Sequence, residues 1–155
     1  MRAVPAVVAP AAVAVTALAG CMAQSGTQSV LTPADLATTW TSHDGGSIAF
    51  SADHRFVATG LRLDKFWNPC AGVGKISVSG TWQFLNSQGD SGGGLTGYAN
   101  GRMVDLSFDG ANGSPTIGCT GGFIKLTTWN VGSTPGLCLQ FDPDTPCVGY
   151  IFNKH

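Results

Sequence analysis

The stretch KISVSGTWQF, residues 75–84, alternates strictly between polar and apolar positions. Its even-numbered positions are apolar residues or glycine, among them Ile76, Trp82 and Phe84, whereas its odd-numbered positions are lysine, serine, threonine or glutamine. Because successive side chains of a strand point to opposite faces, this period of two predicts a β-strand with one buried face and one solvated face. Trp82 and Phe84, together with Trp40, are expected in the core.

Segments with strand patterns recur on both sides of this stretch. They are predicted at 48–50, 56–58, 104–108, 123–129, 137–141 and 147–152, and Trp40 adds an eighth strand if it begins one. Turn signals rich in Gly, Asn, Asp and Pro separate them, Thr134-Pro135-Gly136 and 109–115 among these. The pattern predicts an all-β fold: a single antiparallel meander of seven or eight strands, closed as an up-and-down barrel or strongly curved as a sheet.

One short helix is predicted before the first strand. Thr32 can cap it, Pro33 suits its first position and Asp35 suits the positive end of the helix dipole. Composition agrees with an otherwise helix-poor chain, because it contains 22 glycines and all nine of its acidic residues are aspartates. The formal net charge of −1 is too small to predict a nucleic-acid partner.

The first 20 residues predict export. Arg2 is followed by an apolar run and then by Leu18-Ala19-Gly20-Cys21, the order found in secretory signals. This tetrapeptide resembles the lipobox of bacterial lipoproteins, which implies a signal peptide at 1–20, lipid attachment at Cys21 and a location on the extracytoplasmic face of the bacterial cell membrane. The alternative is an ordinary signal cut near Ala23 and a secreted protein. Residues 21–32 are predicted to be a flexible tether, and 33–155 the barrel domain.

Four cysteines remain after Cys21, and an even number in an exported domain predicts two disulfides with three possible pairings. Cys138 and Cys147 flank the turn signal 142–145, which favours pairing them and leaves Cys70 with Cys119. A metal site is the rival interpretation, but no C-x-x-C pair is present and the histidines lie far off in the sequence. We therefore expect no metal and no cofactor.

Residues 36–61, LATTWTSHDGGSIAFSADHRFVATGL, resemble the opening of small exported bacterial proteins of uncharacterised function that have a lipocalin-like, calycin-type β-barrel. In these, a tryptophan precedes a hairpin of the form F-x-A-D-G-x-F, and the segments SGTWQF (79–84) and YIFNK (150–154) fit the same scheme. The resemblance implies a small barrel and an exported location, but no reaction. Here His54 replaces the turn glycine, so we expect His54 to adopt a positive φ.

The stretch GDSGGGL, residues 89–95, spells the nucleophile loop of trypsin-like proteases around Ser91. A serine nucleophile needs a histidine base and an orienting acid, yet only His43 and His54 precede it, and both lie in turn-like segments. The chain before Ser91 is also too short for the two barrels of that protease architecture. We expect a turn at 89–95, no catalytic residue, and a serine hydrolase only as a remote alternative.

The segment 62–72 places Phe66 and Trp67 in a loop that Cys70 holds. A flap over one end of the barrel and a rigid aromatic contact both fit this pattern. The first functional hypothesis is a lipid-anchored, extracytoplasmic and monomeric binding module for an unknown, small apolar ligand. The alternative is an interaction or inhibitor protein that contacts an envelope protein through loop 62–72.

Overall fold

A computed structural model of the chain describes residues 28–65, 68–85, 98–109, 115–131, 133–139, 147 and 150–155. Eight antiparallel strands close into one barrel, in which each strand pairs with the next and the last pairs with the first. The strands are β1 (Thr39–Ser42), β2 (Ser47–Phe50), β3 (Arg55–Leu61), β4 (Ile76–Leu85), β5 (Met103–Phe108), β6 (Phe123–Val131), β7 (Thr134–Leu139) and β8 (Ile151–Lys154). The predicted all-β meander with a small closed barrel is confirmed.

Strand β4 contains the alternating stretch and packs as its pattern predicts. Ile76, Gly80, Trp82 and Phe84 are buried and Val78 is half-buried, whereas the odd-numbered positions 77, 79, 81 and 83 are exposed or half-buried. At Gly80 the neighbouring backbone comes so close that an added Cβ would lie 1.9 Å from the carbonyl oxygen of Ser107. Only glycine fits there, which lets β5 approach β4 closely at this point.

Two short helices flank the strands. Helix α1 (Pro33–Leu36) has the predicted cap, because Thr32 Oγ1 accepts from the Asp35 backbone N–H while the Asp35 carboxylate accepts from the Thr32 backbone N–H. Helix α2 (Pro115–Thr120) was not predicted, since six residues cannot display a helical period and 109–115 reads as a turn. Within the described residues no helix is long and apolar enough to span a bilayer.

His54 has the predicted positive φ of 63° in the β2–β3 turn. Its imidazole stacks on the indole of Trp82 with ring centroids 4.4 Å apart, and its Nδ1 lies 3.2 Å from the Trp82 carbonyl oxygen. The Trp82 indole N–H in turn donates to the carbonyl of Ser51 at 3.1 Å. This aromatic contact helps to stabilise a residue other than glycine at a strained backbone position.

The starts of β7 and β8 differ from the prediction by three and four residues. Strand β7 already begins at Thr134, where a turn was expected, because Pro135 pairs with Asn130 of β6. The pairing of β7 with β8 begins only at Gly136, so Pro135 lies just outside this ladder, where its missing N–H is tolerated. Strand β8 begins at Ile151, four residues later than the predicted 147–152 strand.

Candidate functional site

The interior of the barrel is filled by its own side chains. Trp82 is part of this core, in edge-to-face contact with Phe50 at 6.1 Å and with Phe84 at 5.4 Å between ring centroids. All strands contribute to one continuous buried cluster, which includes Trp40, Ile48, Phe50, Phe56, Trp82, Phe84, Leu106, Leu126, Leu137 and Phe152. A ligand could therefore enter the described interior only by displacing core side chains, which is costly in a close-packed protein.

One end of the barrel is covered by the chain that leads into it. This tether end comprises residues 28–38, 51–54 and 98–102. Leu31 is buried and exchanges both backbone hydrogen bonds with Gly101, at 2.8 and 3.0 Å. Leu36 is fully buried, and its carbonyl accepts from the Trp40 indole N–H at 3.0 Å. The N-terminal segment thus covers this end of the barrel and is held there by backbone and side-chain contacts.

The opposite end carries both disulfides. This disulfide end comprises residues 43–46, 62–65, 68–75, 115–122, 147 and 150. Two 3₁₀ turns, Leu63–Lys65 and Asn68–Cys70, lie in the β3–β4 connection, and the second contacts α2. The side chains of Leu63 and Cys70 are buried in the core. Cys70 is bonded to Cys119 at the end of α2, so the disulfide connects two loops across this end.

A polar network around Tyr150 joins the β1–β2 turn to this β3–β4 connection. The ring of Tyr150 is buried, and its hydroxyl accepts from the Arg62 backbone N–H at 3.1 Å and lies 3.5 Å from Ser42 Oγ. Ser42 Oγ and the Tyr150 hydroxyl both donate to the Asp44 carboxylate. The network leaves no space at Gly46, where a Cβ would lie 2.5 Å from Tyr150 Oη.

The charges beside this network are paired locally. Partial burial opposes the ionised form of Asp44, but hydrogen bonds from Ser42, the Gly46 backbone and Tyr150 outweigh it and lower the pKa of Asp44. Burial raises the pKa of Tyr150 and keeps its phenol protonated. Arg62 forms a two-pronged ion pair with Asp64, at 2.8 and 2.9 Å. The arrangement holds loops in place.

The predicted cysteine pairs are bonded in the structure, whereas the other predicted sites lie outside the described residues. Cys70 is bonded to Cys119 and Cys138 to Cys147, which is the pairing favoured from the sequence. Cys21, the aromatic pair Phe66 and Trp67, and Ser91 lie outside the described residues. In the described ranges, no group of three or more His, Cys, Asp or Glu residues is placed to hold a metal ion.

The Tyr150 network was not foreseen from the sequence. The turn signal Asp44-Gly45-Gly46 predicts a tight turn, and it is confirmed: Gly45 has φ +84° and its N–H bonds the Ser42 carbonyl at 3.1 Å. A contact between residues 42 and 150 spans nearly the whole domain, however, and no local pattern marks it. The resemblance to exported lipocalin-like barrels stays a prediction, because no protein-family model, curated protein sequence or solved structure matches this chain.

Proposed function

We propose that the protein is a lipid-anchored, extracytoplasmic binding module that contacts a partner protein of the cell envelope through its disulfide-braced loop, residues 62–72. The observation that carries this proposal is the filled barrel. Lipocalin-like barrels can hold a small molecule when the interior leaves room for one, whereas here Trp40, Trp82 and Phe84 occupy the interior. Recognition at the outer surface is then the better-supported mode.

Loop 62–72 is attached at both of its ends. The Arg62–Asp64 ion pair and the buried side chain of Leu63 hold its first residues, and the bond from Cys70 to Cys119 holds its last. Anchoring both ends lowers the conformational entropy that binding must remove. The sequence places Phe66 and Trp67 between these anchors, and large aromatic residues contribute disproportionately to interface energies.

The proposed location rests on two further features. Both disulfides suit an oxidising compartment outside the cytoplasm. The sequence of residues 18–21 supports lipid attachment at Cys21, and a lipid anchor would concentrate the domain at the membrane beside its partner. Replacing Cys21 by serine is expected to release the protein into the medium. Continued retention in the membrane fraction would contradict the anchor.

Site-specific photo-crosslinking in the producing bacterium tests the contact surface. A benzophenone side chain is placed at position 67 or, as the matched control, at Val57, which is 55% exposed on the barrel wall. We expect one discrete adduct from position 67 and none from position 57. Once mass spectrometry has identified the adduct, Trp67→Ala should weaken binding of that purified partner by about 30-fold or more, the loss typical of a hot-spot residue.

The same variants separate this proposal from its rivals. Trp67→Ala should leave the melting temperature nearly unchanged if the indole contacts a partner, and the same is expected of the control Val57→Ala. A large loss of stability would assign Trp67 to the core and overturn the proposal. Equal crosslinking at both positions would also contradict it.

A further inference from the structure

The last residues of the predicted tether, 21–32, already contact the barrel. Ser29 Oγ donates to Asn130 Oδ1 at 3.1 Å, and the Ser29 carbonyl accepts from the hydroxyl of Thr128. The next contact is the backbone pair between Leu31 and Gly101. The N-terminal segment is thus attached to the tether end from Ser29 onward, and this is the end from which the chain continues towards Cys21.

The remaining connection is short compared with the domain. Eight residue steps separate Cys21 from Ser29, so even a fully extended chain spans at most about 28 Å. The nine residue steps of β4, the longest strand, extend about 30 Å along the strand, which a strand tilt of about 40° reduces to about 23 Å along the barrel axis. If the domain stood with its disulfide end on the bilayer, Ser29 would lie roughly one barrel height above it, and the connection would have to be stretched over most of its reach. A tether end that faces the membrane requires no such extension.

Two apolar side chains and one cation exposed at the tether end suit a membrane surface, although the exposed carboxylates of Asp35 and Asp53 lie at the same end. Val30 is 52% exposed and Tyr98 40% exposed, two of the four large apolar side chains exposed in the described residues. Arg102 is exposed and follows Gly101, so antiparallel pairing places it opposite Val30, on the side away from buried Leu31. Tyrosine is enriched at the headgroup level of bilayers, and arginine extends its charge toward the phosphates there.

We propose that the tether end is a membrane-contact surface, with Val30 and Tyr98 against the bilayer that holds the Cys21 lipid and with Arg102 directed at lipid phosphates. This inference rests on the lipid anchor of the proposed function and adds an orientation to it. The disulfide end then points away from the membrane, where loop 62–72 is accessible to a partner protein.

Amide hydrogen exchange tests the orientation. The full lipidated chain is reconstituted into vesicles of phosphatidylethanolamine and phosphatidylglycerol, and the unlipidated Cys21→Ser chain mixed with the same vesicles is the reference. We expect exchange at residues 28–32 and 98–102 to slow at least threefold on the vesicles, and exchange at 43–46 and 68–75 to stay unchanged. Equal rates at both ends, or protection of the disulfide end alone, would overturn the inference.

Matched variants connect the protection to the named side chains. Replacing Val30 and Tyr98 together by serine should abolish the slowing at 28–32 and 98–102, whereas Val57→Ser, which changes an equally exposed side chain on the barrel wall, should leave it intact. Protection that survives the double replacement contradicts the assigned surface. Mass spectrometry of the N-terminal peptide separates the two proposals: absence of acyl mass at Cys21 refutes the anchor and with it this inference, while an acylated protein without protection refutes the contact surface alone.

Discussion

Replacing Trp82 by alanine would remove a large buried side chain from the core of the barrel. The indole is 1% exposed, stacks on His54, contacts Phe50 and Phe84 edge-on, and donates to the Ser51 carbonyl. Truncation of a buried tryptophan costs about 4 kcal/mol, because the cavity left behind closes only in part. Trp82→Phe keeps most of the ring packing and loses the indole N–H, and we expect it to cost about 1 kcal/mol.

Urea unfolding at 25 °C, followed by circular dichroism, measures both losses. A domain of about 130 residues has an unfolding entropy near 0.27 kcal/mol/K, so a loss of 4 kcal/mol corresponds to a melting temperature lower by about 15 °C. Thr81→Ala, which changes the exposed neighbour on the same strand, serves as the control and should stay within about 0.5 kcal/mol of the parent. A loss below about 1 kcal/mol for Trp82→Ala would refute the filled interior, because the indole would then have few packing partners.

Three further predictions concern the disulfide end. Gly46→Ala drives a methyl group into the Tyr150 hydroxyl and should cost about 1–3 kcal/mol by urea unfolding; an unchanged midpoint would contradict the network. The pKa of Asp44 is lowered in the folded protein, so the ionised carboxylate stabilises the fold above its unfolded pKa, and this contribution is lost as the pH falls through the folded pKa. Asp44→Asn should therefore flatten the dependence of the unfolding free energy on pH below about pH 4. A dependence parallel to that of the parent protein would contradict this. Replacing Cys70 and Cys119 by serine opens a loop of 49 residues and should lower the free energy of unfolding by about 4 kcal/mol. The same replacement of Cys138 and Cys147, which are 9 residues apart, should lower it by about 2.6 kcal/mol. Equal losses would contradict the dependence on loop length.

Local patterns predicted most of the barrel wall. The alternation at 75–84 marks β4, because one face of that strand packs on the core and the other meets water. The helix cap at Thr32 was likewise predictable, since it depends on residues within one turn. The positive φ of His54 was predicted from the resemblance, in which a glycine occupies this turn position. Helix α2 was missed because its six residues carry no periodic signal and its position depends on the distant Cys70.

Features that depend on closure of the barrel could not be predicted in the same way. The pairing of Trp40 with Lys154 joins β1 to β8, and the Tyr150 network joins residues more than 85 positions apart. Such contacts arise from the register of the whole meander, to which every strand contributes. Large inward side chains were predictable from the alternating pattern, but whether they fill the interior depends on where the strands place them across the barrel.

Titration of the purified protein with N-phenyl-1-naphthylamine, an apolar fluorophore, tests the central claim most directly. Excitation of the buried indoles of Trp40 and Trp82 would transfer energy to any probe bound among the core side chains. We predict no saturable binding and no energy transfer, because the core residues occupy the described interior. Stoichiometric binding with strong transfer, displaced by a fatty acid, would show a ligand cavity and would contradict recognition at the outer surface.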